Sequence, residues 1–207
     1  METIIVELAR SLVENNKILS FFFFFISQSL QVLFPPYPGD MVLILEGYLS
    51  GIAEINIVLV SLNAILATFL SSILLYHIGK KEQEKILKSK IINYLFDTAK
   101  VDKLRNLFDN YGPVAIIASK FIPGIYSVTI LAAGIFQVPK RIAYISIAVI
   151  TALHHILLIY LGNLVGENWK VILYKIEAYN KYVIILAVLG ILIYGLLILI
   201  KNKLFQE

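Results

Sequence analysis

The chain has 207 residues, 59% of them hydrophobic and 15% charged, with no cysteine and a formal net charge of +4. Soluble domains run at about 45–50% apolar and about 25% charged residues, and 18 basic plus 14 acidic residues cannot coat the polar exterior a soluble domain of this size needs. The composition, with a mean hydropathy of +0.82, excludes a disordered chain, a disulfide scaffold and a thiolate metal site, and argues against a soluble enzyme. It points to an all-α polytopic membrane protein. The basic surplus reads as the Lys and Arg of cytoplasmic loops rather than as a nucleic-acid surface.

Residues 3–14 predict a short amphipathic helix, with Ile4, Ile5, Leu8 and Leu12 on one face. Glu2, Glu7 and Glu14 offset Arg10 and Lys17, which does not fit a cleaved signal peptide. Residues 18–34 are apolar enough to span if tilted, with Ser20, Ser27, Gln28, Ser29 and Gln31 interspersed. Pro35-Pro36-Tyr37-Pro38-Gly39-Asp40 breaks the helix, and the apolar run 41–51 is too short to cross, so it reads as re-entrant. A clean span follows over 55–79. The polar stretch 80–112 carries eight Lys and Arg and reads as one or two surface helices. The apolar stretch 113–138 is interrupted by Lys120, Pro123 and Gly124. Spans over 142–166 and 182–200 complete the chain.

Four spans and two re-entrant segments bring both termini to the cytoplasm. That topology puts 14 Lys and Arg inside and three outside, with Lys120 in the membrane. Full crossing by the broken segments would split the basic clusters between sides, so the asymmetry favours re-entry. The organisation is then an N-terminal segment 1–17, a first repeat 18–79, a cytoplasmic amphipathic linker 80–112, a second repeat 113–166, and a terminal part 167–207.

The halves echo each other. Pro38-Gly39, a short run, Gly47 and a span ending Tyr76-His77-Ile78-Gly79 match Pro123-Gly124, a short run, Gly134 and a span ending Tyr160-Leu161-Gly162. The expected architecture is about four transmembrane helices plus two re-entrant broken-helix hairpins in a pseudo-symmetric inverted repeat. Matched breaks in two repeats mark a central transport site, because a broken helix frees backbone polar groups that can hold a charged ligand.

Asp40 directly follows the first break and Lys120 shortly precedes the second. A lone charge at mid-bilayer costs roughly 2.5–3.5 kcal/mol on insertion scales. In one reading the breaks meet and both residues line one polar cavity. In the other, Asp40 caps the following helix and Lys120 snorkels to the interface. Gln28 reads as a helix–helix hydrogen bonder, with cavity lining second. Glu46 reads as interfacial. Tyr126 reads as a headgroup donor or an interface anchor. Adjacent His154 and His155 point to different helix faces and read as satisfied interior histidines, so neither a metal site nor a cofactor is expected. No catalytic motif supports an enzyme.

Two ordered blocks carry a resemblance. The first is Pro38-Gly39-Asp40 followed by Gly47-Tyr48-Leu49-Ser50-Gly51. The second is Tyr111-Gly112, Lys120-Phe121-Ile122-Pro123-Gly124-Ile125-Tyr126, Ala133-Gly134 and Phe136. Over residues 20–170 the chain resembles the DedA family, also called SNARE-associated or VTT-domain membrane proteins. The resemblance implies movement of polyprenyl-phosphate carriers or phospholipids across the cytoplasmic membrane, often coupled to protons. It also implies a site at Asp40, Gln28, Lys120 and Tyr126, beside the helix-breaking Pro38, Gly39, Pro123 and Gly124. Family members often carry Glu where Gln28 stands and Arg where Lys120 and Tyr126 stand. Gln is not a titrating carboxylate, and Lys binds phosphate as a point charge rather than a bidentate fork. The expected function is a flippase- or scramblase-type transporter of a phosphate-headgroup lipid, compatible with a homo-oligomer. The alternatives are a membrane scaffold or assembly factor acting through 80–112, and a small-solute or ion carrier.

Overall fold

The computed structural model describes residues 16–34, 37–52, 55–88, 98–122 and 124–165. The N-terminal amphipathic helix and the 182–200 span expected from sequence lie outside the described residues. The described residues form seven helices and no strand: α1 (Lys17–Leu33), α2 (Gly39–Ile52), α3 (Ile57–Lys81), α4 (Gln83–Leu87), α5 (Thr98–Ser119), α6 (Ile125–Ile135) and α7 (Lys140–Val165).

Local chemistry sets the helix ends. Asn16 caps α1 by accepting from the Leu19 amide at 3.0 Å, and Asn56 caps α3 by accepting from Val58 at 2.9 Å. Lys80 and Lys81 close α3 at its negative end. On the exposed α4 the Lys85 ammonium, 2.7 Å from Glu82, holds that carboxyl below its usual range. Helix α5 runs straight through Pro113, across the 112/113 boundary read from the sequence, and stops before Lys120. Gly124 then takes a left-handed φ of 77° and α6 begins. At its far end α6 closes with a Schellman pattern. Val138 bonds back to Ala133 and Gln137 to Gly134, with Gln137 at a φ of 57°. The Tyr76 hydroxyl ties that turn to α3 by donating to the Val138 carbonyl at 2.6 Å.

Helices α3 and α7, of 25 and 26 residues, are each about 38 Å long at 1.5 Å per residue, enough to cross a core of about 30 Å. Their polarity is inside out. On α3 the large residues Leu59, Leu62, Leu66, Leu70 and Leu74 face outward, while Ala64, Ala67, Thr68, Ser71 and Ser72 are buried. That is how a lipid-facing helix is built, since small residues permit close packing and hydrocarbon solvates the leucines.

The main packing partners are α2 with α7 and α3 with α6. Each short helix after a Pro-Gly thus lies on the long helix of the other half. Both crossings depend on glycine. A Cβ on Gly47 would strike the Ile159 carbonyl, and one on Gly162 would strike the Ile44 carbonyl. A Cβ on Gly79 would strike the Leu131 carbonyl, and one on Gly134 would strike that of Tyr76. In every case the carbonyl lies three residues before the partner glycine. The glycines matched in the sequence repeat therefore make equivalent backbone-to-backbone contacts.

Candidate functional site

Polar side chains from α1, α2, α3, α6, α7 and the turn after α5 converge between these crossings. Asp40 sits in the first turn of α2, inside the helix rather than at its cap. Its carboxylate accepts from Gln31 Nε2 at 2.8 Å and lies 3.9 Å from His154 Nε2. Gly39 makes this possible: it is buried, and a Cβ there would occupy the space of the Gln31 side chain.

Lys120 is 5% exposed. It sits in the turn that ends α5, where helical bonding gives way to three-residue turns. Its ammonium lies 4.4 Å from the centroid of the Tyr126 ring, a cation–π arrangement. It feels the Asp40 charge without forming an ion pair within 4 Å. Among the described residues it has no hydrogen-bond acceptor. Asp40 and Lys120 are therefore electrostatic neighbours without direct contact.

Tyr126 is buried rather than an interface anchor, and its hydroxyl shares a hydrogen bond of 3.1 Å with Ser72 on α3. The next residue, Ser127, reaches the Gln31 carbonyl at 3.5 Å, so α6 touches the last turn of α1. Gly124 supplies the left-handed turn between Lys120 and Tyr126. Pro38 immediately precedes α2, and Pro123 lies outside the described residues.

Gln28 bonds across helices, donating from Nε2 to Glu46 Oε1 at 2.7 Å. Glu46 is 0% exposed, which corrects its reading as interfacial. The glutamate faces α1 in the interior because Gly47 beside it brings α2 against α7. His154 and His155 are interior, as expected, but not fully satisfied. His155 Nε2 is 2.8 Å from Thr68 Oγ1, whereas the Nδ1 atoms of both histidines have no hydrogen-bond partner among the described residues.

Gln31, Thr68, Ser72 and Thr151 were not among the sequence candidates. Their signal is a helical stripe of polar residues inside an apolar span: Thr68, Ser71 and Ser72 on α3, then Thr151, His154 and His155 on α7. The arrangement offers a buried cation over the Tyr126 ring, buried hydroxyl and imidazole groups nearby, and a carboxylate whose charge it feels.

A VTT-domain family model matches residues 37–164. Undecaprenyl phosphate transporter A of Bacillus subtilis is 26% identical over 161 residues, covering 76% of this chain and 79% of that protein. An alkaline phosphatase-like protein of Lactococcus lactis subsp. cremoris is 26% identical over 181 residues, covering 84% of each chain. An uncharacterised membrane protein of Bacillus subtilis, YkoX, is 29% identical over 171 residues, covering 80% of this chain and 73% of that protein. No solved structure matches. With more than half its length matched by the family model, and both ordered blocks lying in the matched region, the chain belongs to the VTT-domain, or DedA, family of membrane proteins.

Proposed function

We propose that the protein is a flippase- or scramblase-type transporter that carries a phosphate-headgroup lipid across the cytoplasmic membrane. Supporting it are the names of two relatives, the undecaprenyl phosphate transporters A of Bacillus subtilis and Staphylococcus aureus. One observation carries the reading: the buried Lys120 ammonium rests on the Tyr126 ring and feels the Asp40 carboxylate without an ion pair to it. A buried cation is costly until an anion reaches it. A phosphate entering beside Asp40 would supply that anion and, among the described residues, displace no hydrogen-bond acceptor from Lys120.

In this reading the headgroup binds Lys120 as a point charge. The Tyr126 hydroxyl and His154 Nδ1 would donate to its oxygens. Asp40 balances Lys120 between cycles and repels the phosphate, which favours release. The tails never leave the hydrocarbon, because the outer faces of α1, α3 and α7 are apolar between the charged ends of α3 and α7. The Pro-Gly breaks act as re-entrant turns, with both termini in the cytoplasm.

A vesicle assay tests this. The full chain is reconstituted in phosphatidylethanolamine and phosphatidylglycerol, and the transfer of a fluorescent short-chain polyprenyl phosphate between leaflets is followed. A hydrogen bond to a charged group contributes about 1.5–3 kcal/mol, so Lys120→Met should slow transfer roughly 10- to 100-fold, and Lys120→Arg should retain much of it. Equal rates for wild type, Lys120→Met and Asp40→Ala would remove the site.

A further inference from the structure

Six residues beyond Asp40, about 9 Å along α2, Glu46 is the one acid in the described helices that is 0% exposed, and it faces a glutamine that is also 0% exposed. Gln28 Nε2 donates to Glu46 Oε1 at 2.7 Å, and this is the carboxyl group's only hydrogen bond among the described residues. The other atoms of the pair, Glu46 Oε2 and Gln28 Oε1, are buried and have no hydrogen-bond partner among the described residues.

Among the described residues no cation compensates Glu46. From α1 it meets only Gln28. On α7, His154 and His155 interact with Asp40, Lys120 and Thr68, and Tyr160 is exposed. On α3, Tyr76 and His77 are bonded to Val138 and Tyr144. On α2 itself the other titratable groups are Asp40 and Tyr48.

An ionised carboxylate held by one neutral amide would leave an oxygen and a charge buried without compensation, at a cost of several kcal/mol. The neutral acid removes that cost. Protonated on Oε2, the acid would donate to Gln28 Oε1, satisfying both leftover atoms and closing a two-bond carboxylic acid–amide ring. We propose that Glu46 is a proton-binding site that clasps α2 to α1 while protonated and frees them when its proton leaves, tying headgroup movement to proton binding. The tie to headgroup movement rests on the transporter reading above; the proton site does not.

The chemical step is simple. The O–H bond at Glu46 Oε2 breaks and the proton passes to water reaching the parted helices. The carboxylate that remains is solvated until a proton returns and the ring re-forms. Nothing is oxidised or reduced.

Infrared spectroscopy of the full chain in vesicles tests the site directly. At neutral pH the wild type should show a protonated-carboxyl carbonyl band that shifts in deuterated water. Glu46→Gln should abolish it and Asp40→Asn should keep it. Gln28→Leu preserves the acid but removes its partner, so the band should move to the higher frequency of a free carboxyl, which guards against a misfolded Glu46→Gln. A band indifferent to both variants, or a Glu46 already ionised at neutral pH, overturns the proposal. In the flip assay, an imposed pH gradient should change wild-type transfer several-fold and leave Glu46→Gln transfer unresponsive. A wild type indifferent to the gradient overturns the coupling. Absence of lipid transfer by any form would defeat the transporter reading, while the infrared result would still decide the proton site.

Discussion

At the scale of single residues, the two Pro-Gly pairs look alike in the sequence, yet their glycines serve different needs. Gly124 adopts a left-handed φ that an L side chain resists, whereas Gly39 lies at a helix start and leaves room for Gln31. Gly124→Ala should therefore lower stability by about 1–2 kcal/mol, read as an earlier unfolding midpoint in mixed micelles. Gly39→Ala should lower the midpoint as well, by about 1–3 kcal/mol of overpacking, because the added Cβ would lie 2.6 Å from the Gln31 Cβ, which no rotamer change can move aside. Lipid transfer should fall with it as Gln31 loses its bond to Asp40. Asp40, Lys120 and Tyr126 were legible as site candidates because charge and breaks in an apolar chain are conspicuous. Glu46 was not. Whether an acid near a helix end meets water or protein is decided by the neighbouring helix, and Gln28 gave no sign of being that neighbour. Read by itself, Gln28 marks a lost carboxyl; in the fold a carboxyl is set against it from α2.

At the scale of helices, the spacing of the repeat was legible, and the glycines it matched are the ones at the crossings. The pairing of each short helix with the other half's long helix was not, since spacing along the chain carries no information about which backbones touch. The crossings make a quantitative prediction. A Cβ at Gly47 or Gly162 meets backbone, which cannot swing aside as a side chain can, so each Gly→Ala change should cost about 1–3 kcal/mol by overpacking. Gly47 and Gly162 share one crossing, so once either substitution has parted the helices the second costs less, and the double variant should fall short of the sum. Gly47 and Gly134 lie in different crossings and should add to within about 0.5 kcal/mol. Unfolding midpoints of the three singles and two doubles check both statements.

For the molecule as a whole, composition alone established the membrane class, and the inside-out polarity of α3 and α7 agrees with it. Leu66 lies outward near the middle of α3. Leu66→Arg should disfavour insertion by roughly 3–4 kcal/mol on translocon scales, measured as the fraction of chain integrated into membranes during cell-free synthesis. The cross-half pairing also imposes an order of events during manufacture. Helix α2 ends at Ile52 and its partner α7 begins only at Lys140. At about 5–20 residues per second a ribosome needs roughly 4–18 s to make the intervening chain. For that interval the α2 surface bearing Gly47 has no mate, and it must wait in the translocon, in a chaperone's care or against lipid. A nascent chain stalled before α7 is thus an orphaned half whose persistence depends on whichever quality-control protease reaches it first.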